Sequence, residues 1–193
     1  MTMNHEEAQT LLDNAELIHS AETVQAAVAN VAARIKAELA GKKPVVLCVM
    51  SGAVPFMGHL MIHLDFPLDF DYLHASRYGD HTSGHNKLSW RSGPWIDLKG
   101  RTVLVVDDIL DEGVTLSAIC ERIRQMGAAR VLTAVFAEKE IGRPKPVKAD
   151  FVGLTVPNRF VFGFGMDICG AWRNLPAIYA CQASESEVRD QKK

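Results

Sequence analysis

Cysteine is sparse in this chain of 193 residues: Cys48, Cys120, Cys169 and Cys181 are widely separated, and no two form a C-x-x-C pair. A disulfide framework or a thiolate metal site therefore has no support, and a reducing compartment is expected. Positive charge is not in excess either. The chain has 21 Lys and Arg against 23 Asp and Glu, a net charge of −2, so it lacks the concentrated basic surface of a general nucleic-acid binder. No apolar run reaches the roughly 18 to 20 residues needed to span a bilayer. The opening stretch, Met1 to Gln9, is polar and acidic, unlike a secretory signal. The expectations are no nucleic-acid partner, no membrane and a cytoplasmic location. Internal repeats and low-complexity segments are absent too, so one domain over residues 1–183 is the default, followed by a polar tail over 184–193.

What the chain does have is concentrated between Val103 and Thr115, Val-Leu-Val-Val-Asp-Asp-Ile-Leu-Asp-Glu-Gly-Val-Thr. The apolar run suits a strand buried on both faces, as in a parallel sheet, and Asp107 and Asp108 close it. From Leu116 the apolar residues Ile119, Cys120, Ile123 and Met126 keep helical spacing, with Gly127 as a natural C-cap. Strand, acidic glycine-bearing turn and helix together aim backbone N–H groups above the strand's carboxyl end. Those groups and the helix dipole favour a phosphate, and Thr115 can add a hydroxyl. The carboxylates of Asp107 and Asp108 favour a vicinal diol or a hard cation such as Mg²⁺. A sugar phosphate carries both partners, and Asp111 would then lie near the base as a proton acceptor.

The remaining segments fall into place around this unit. The first 41 residues read as helices: Glu6 to Ile18 is helix-compatible, and Val24, Ala27, Val28, Val31, Ile35 and Leu39 are periodic between a Ser20 cap and Gly41. Val45 to Met50 reads as a buried strand ending at Ser51-Gly52, where glycine lets the backbone approach a ligand closely. Pro55 to Leu64 reads as a helix. Its His59 and His63 have a possible metal spacing, but without an accompanying Glu they read as surface or packed histidines. Leu68 to Ala75 alternates as a strand. The polar stretch 76–95, with Arg77 and Tyr78 at its start, reads as a flexible lid loop. Arg130 to Ala137 is a further buried strand, and Lys139 just beyond it is poised to meet a ligand carbonyl, or otherwise to pair with a neighbouring Glu.

The run from Asp107 to Thr115 resembles the phosphoribosyl-pyrophosphate motif of the type I phosphoribosyltransferases, in residue type and spacing. Glu112 departs from the Thr or Ser common there and fits only if its carboxylate points away from the phosphate. Ala149 to Asp167, with Lys139, resembles the hypoxanthine-guanine members, and the similarity covers roughly residues 45 to 180. The resemblance implies an α/β fold with a mainly parallel twisted sheet flanked by helices. It also implies a small hood, built from the N-terminal segment and about residues 150–183, and the lid.

The same resemblance assigns ribose and phosphate binding to Asp107, Asp108, Asp111, Glu112, Gly113, Val114 and Thr115. It assigns pyrophosphate binding to Ser51, Gly52, Arg77, Tyr78 and Arg173. Purine binding falls to Lys139, Phe160, Val161 and Asp167, and Mg²⁺ to Asp107, Asp108 and Asp167. Phe160 would stack on the base, Lys139 would read a 6-oxo group and Asp111 would act as the catalytic base. The partners implied are phosphoribosyl pyrophosphate, 6-oxopurine bases and nucleoside monophosphates, in a homodimer or homotetramer. Two alternatives stay open at this point: a xanthine-preferring enzyme, and a nucleotide-sensing regulator on the same fold.

Overall fold

The computed structural model describes residues 3–78 and 87–182, with the backbone alone at 76–78 and 87–89. The polar tail and the centre of the proposed lid lie outside the described residues. Helix α1 (His5–Asp13) starts at a capping box, in which Asn4 accepts the Glu7 N–H and Glu7 accepts the Asn4 N–H. The sequence reading continues helix to Ile18, but the chain turns at Asn14 and forms strand β1 (Glu16–His19). Its partner is distant. It pairs antiparallel with β9 (Ile178–Ala180), which also holds β8 (Val161–Phe162), giving a small three-stranded sheet. Tertiary pairing has overridden local helix propensity there.

Helix α2 (Ala21–Leu39) follows the sequence pattern. The Ser20 hydroxyl accepts the Thr23 N–H at 3.3 Å, all six periodic apolar positions are buried, and Gly41 sits just past the end. Strand β2 (Val45–Val49) is buried throughout. It pairs parallel with β3 (Asp69–Tyr78) on one side and with β5 (Thr102–Leu110) on the other. Strands β6 (Arg130–Lys139) and β7 (Phe151–Val156) continue the parallel order, and β4 (Lys87–Ser92) adds an antiparallel edge beyond β3. The six-stranded order is β4-β3-β2-β5-β6-β7.

This mostly parallel sheet flanked by helices is the expected α/β class, with three corrections of extent. Residues 76–78 and 87–92 are strands of a hairpin, with Arg77 opposite Leu88 and Tyr78 opposite Lys87. Residues 151–156, expected in the hood, form the far edge of the main sheet. Strand β5 does not stop at its acid pair, because Ile109 and Leu110 still pair with Ala137 and Glu138.

Helices α3 (Val54–Met61) and α4 (Val114–Gln125) follow β2 and β5. The rings of Phe56 and Phe136 lie 5.2 Å apart, and Phe136 and Phe164 lie 4.5 Å apart, linking α3, β6 and the loop after β8 in one core. Burying each such ring contributes about 1.5–3 kcal/mol. Because β2, β5 and β6 run parallel, their carboxyl ends share one rim, which is where ligands bind in open α/β sheets.

Candidate active site

A cleft of about 390 Å³ opens on that rim. Its floor is the end of β5 and the turn into α4: Asp107, Asp108, Asp111, Glu112, Gly113 and Thr115 all line it. Gly113 adopts φ +81°, a left-handed conformation that a side chain would strain, and it begins α4 with no side-chain cap. The first-turn N–H groups of a helix have no partner within the helix, so this turn is built to receive an anion. Val114 is the first residue of α4. The carboxylate of Glu112 pairs with Arg143 at 2.7 Å, and both side chains are exposed. That ion pair engages the carboxylate at the position where the chain departs from the motif.

The two adjacent acids differ from the other acids of the fold. Asp71 is buried too, but its carboxylate accepts three backbone N–H groups, from Tyr72, Trp95 and Ile96, which identifies it as structural. Asp107 is buried and accepts the N–H of Asp108, while Asp108 accepts that of Ile109. Burial, and then the neighbouring charge of Asp108, hold Asp107 well above the usual carboxylate range. Burial also raises Asp108, while its hydrogen bond with Asp107 and the charge of Arg173 pull it back down. A buried acid pair of this kind gains most from a cation.

Among the described residues no group of three or more His, Cys, Asp or Glu side chains is arranged to hold a metal. Asp167 does line the same cleft, but its carboxylate is engaged by Arg173 at 2.6 Å and by the Gly170 N–H at 2.8 Å. This donor set suits Mg²⁺, which keeps several waters and needs only one or two carboxylates beside substrate phosphates.

Opposite the floor, Gly52 and Arg173 line the cleft. A Cβ at Gly52 would stand 2.0 Å from Asp108 Oδ2, so a side chain there would push that carboxylate from its place. Ser51 is exposed and does not line the cleft. Arg173 also donates to the Gly165 carbonyl. A Cβ at Gly165, where φ is +106°, would meet the Gly52 carbonyl oxygen at 2.0 Å, so the loop after β8 closes directly onto the turn after β2.

Lys139 does not line the cleft itself. It is buried at the end of β6 and donates to Asp111 Oδ2 at 2.9 Å. The acid it meets is thus not a neighbouring Glu but Asp111, the candidate base across the strand pair. Val161 is buried in β8, paired with Ala180. Phe160 packs against the small cluster around Phe162, Ile168 and Cys181. Neither belongs to the cleft lining. Arg77 and Tyr78 lie on β3, and their side chains are outside the described part. His59 is an exposed histidine that meets Gln25 at 3.0 Å and the Phe164 ring at 5.4 Å.

One organising residue escaped the sequence reading. Lys145 donates to the Leu110 and Lys139 carbonyls and to Glu138. Its only sequence signal is its place between Pro144 and Pro146, which fixes the chain locally but points to no chemistry.

Comparison with known proteins agrees with this geometry. The family profile described as the phosphoribosyl transferase domain matches residues 14–168. The chain is 34% identical over 166 residues to the hypoxanthine-guanine phosphoribosyltransferase of Bacillus subtilis (strain 168), covering 86% of this chain and 92% of that protein. A solved structure named hypoxanthine-guanine-xanthine phosphoribosyltransferase is similar with a TM-score of 0.80 and 31% identity, covering 89% of this chain and 99% of that one. A hypoxanthine phosphoribosyltransferase from Staphylococcus aureus gives a TM-score of 0.83 at 25% identity, over 90% of this chain and 95% of that one.

Proposed function

The chain belongs to the phosphoribosyl transferase family, and from that membership we propose that it is a purine-salvage enzyme. It transfers phosphoribose from phosphoribosyl pyrophosphate to N9 of hypoxanthine or guanine, giving IMP or GMP and pyrophosphate.

The observation that carries the base assignment is the pairing of Lys139 with Asp111 at 2.9 Å beside the acid floor. A 6-oxopurine presents O6 and N7 side by side on one edge. The ammonium of Lys139 donates to O6, and the carboxylate of Asp111 takes the N7 proton as N9 attacks the ribose. An adenine would set its amino donor against the lysine, leaving both unsatisfied.

The turn from Asp111 to Thr115 holds the 5′-phosphate on backbone N–H groups, and Asp107 and Asp108 hold the ribose hydroxyls. Their negative charge also favours the cation-like C1 that forms as the leaving group departs. Gly52, Arg173, the turn bearing Ser51 and the end of β3 bearing Arg77 and Tyr78 surround the pyrophosphate, and Phe160 and Val161 flank the base. Asp107, Asp108 and Asp167 would hold Mg²⁺, which when bound offsets the charge of the departing pyrophosphate. A lid spanning part of residues 76–95 keeps water from the activated ribose.

The enzyme works in the cytoplasm as a homodimer or homotetramer. Among the described residues no helix is long and apolar enough to cross a membrane.

Spectrophotometric assay with phosphoribosyl pyrophosphate, Mg²⁺ and each of hypoxanthine, guanine, xanthine and adenine tests this reading. Turnover of hypoxanthine and guanine with adenine inert is expected. Xanthine belongs in the panel because one structural neighbour carries it in its name. Preference for xanthine over both other 6-oxopurines would overturn the substrate assignment, and silence on all four bases would overturn the enzyme.

A further inference from the structure

Lys145 lies between β6 and β7, and its side chain is only 10% exposed. An ammonium has three protons to donate. Here it meets three acceptors: the Lys139 carbonyl at 2.7 Å, the Leu110 carbonyl at 3.0 Å and Glu138 Oε1 at 3.2 Å. Two of these are the backbone oxygens at the ends of β5 and β6, where the ladder between them stops at the Leu110–Glu138 pair. Its stem also packs on the turn below, since a Cβ built on Gly113 would lie 3.4 Å from Lys145 Cβ. The residue therefore touches the chain on both sides of Asp111, through Leu110 and Gly113, and at the same time grips Lys139. Lys139 in turn pairs with Asp111. Lys145, Leu110, Asp111 and Lys139 form a closed ring of contacts with the buried ammonium as its hub.

On the proposed reaction, we infer that Lys145 is a positioning residue that sets the spacing between Asp111 and Lys139, and with it the geometry in which the purine edge is read. The phosphate turn has separate support. Gly113 fixes the turn's backbone, and α4 is anchored by buried Leu116, Ile119 and Ile123. Losing the ammonium should therefore loosen the base subsite more than the phosphate subsite. Glu138 pairs with the Lys145 ammonium at 3.2 Å and balances its buried charge, so it shares the role.

The test is steady-state kinetics of Lys145→Met, which keeps length and apolar volume and removes every donor. The Michaelis constant for hypoxanthine or guanine should rise about tenfold, the loss expected for a charge-assisted hydrogen bond. The constant for phosphoribosyl pyrophosphate should stay within about twofold. A purely structural lysine would lower the melting temperature and the active fraction without separating the two constants, and that result overturns the inference. Unchanged purine kinetics overturn it as well.

Should K145M fail to fold, Glu138→Gln decides the matter. It should raise the purine constant about threefold, and a wild-type value overturns the role. Wild-type turnover measured alongside separates the two claims. Its absence removes the enzyme reading and this inference with it, whereas an active wild type with unaltered variants removes only the role of Lys145.

Discussion

At the scale of single residues, chemistry follows from neighbours. Asp111 is paired with Lys139 and sits on the anion turn. Asp111→Asn keeps the turn's backbone but cannot accept a proton, so turnover should fall by about 10² or more while phosphoribosyl pyrophosphate binding changes little. Single-turnover kinetics and calorimetry read the two effects separately, and near wild-type turnover would exclude Asp111 as the base.

Asp107 gives a pH prediction. Its carboxyl is held above the ordinary carboxylate range by burial and by Asp108, so the folded state binds its proton more tightly than the unfolded state does. Its contribution to stability is therefore complete below the ordinary pKa of about 4 and is lost as pH rises through the elevated value. Asp107→Asn should flatten that decline. It should raise the metal-free melting temperature at neutral pH by about 3 °C and abolish stabilisation by Mg²⁺. Thermal melts across pH, with and without the metal, check both; an unchanged pH slope or a retained Mg²⁺ shift would contradict the assignment.

The acids and their spacing were legible in the sequence because a short turn places them locally. The partnerships Glu112–Arg143 and Lys145–Leu110 were not, because they span 31 and 35 residues and leave no periodic trace.

At the scale of elements, the strongly periodic pieces α2, β2, β5 and α4 were readable from apolar spacing and caps. The misread pieces failed for different reasons. Glu16–His19 becomes a strand only because β9, some 160 residues on, offers an edge. Strand β4 carried a short alternating signal at Leu88 and Trp90 that its polar surroundings obscured. The junction of two elements supplies the sharpest steric test. The loop after β8 touches the turn after β2 through Gly165 and the Gly52 carbonyl, with no room for a methyl group. Gly165→Ala should displace that loop together with Arg173, raise the Michaelis constant for phosphoribosyl pyrophosphate at least tenfold and cost about 1–3 kcal/mol of stability. Denaturant melts and kinetics on the same preparation would show it. Wild-type values in both would mean the contact does not shape the cleft.

At the scale of the whole molecule, a parallel sheet brings three strand ends to one rim: the glycine turn after β2, the acid turn after β5 and the lysine closing β6. The class of fold was legible because buried parallel strands read as unbroken apolar runs. The resemblance implied a small hood but no sheet, and the strands of β1-β9-β8, four, three and two residues long, are too short to leave a pattern. The account depends on a sugar phosphate lying across the β5 end, phosphate on the α4 turn and ribose on the acid pair. A crystal structure of the protein with IMP tests this most directly. The account predicts phosphate oxygens on the N–H groups of residues 111–115 and ribose hydroxyls on Asp107 and Asp108; a nucleotide bound elsewhere, or with its ribose away from both carboxylates, would contradict it.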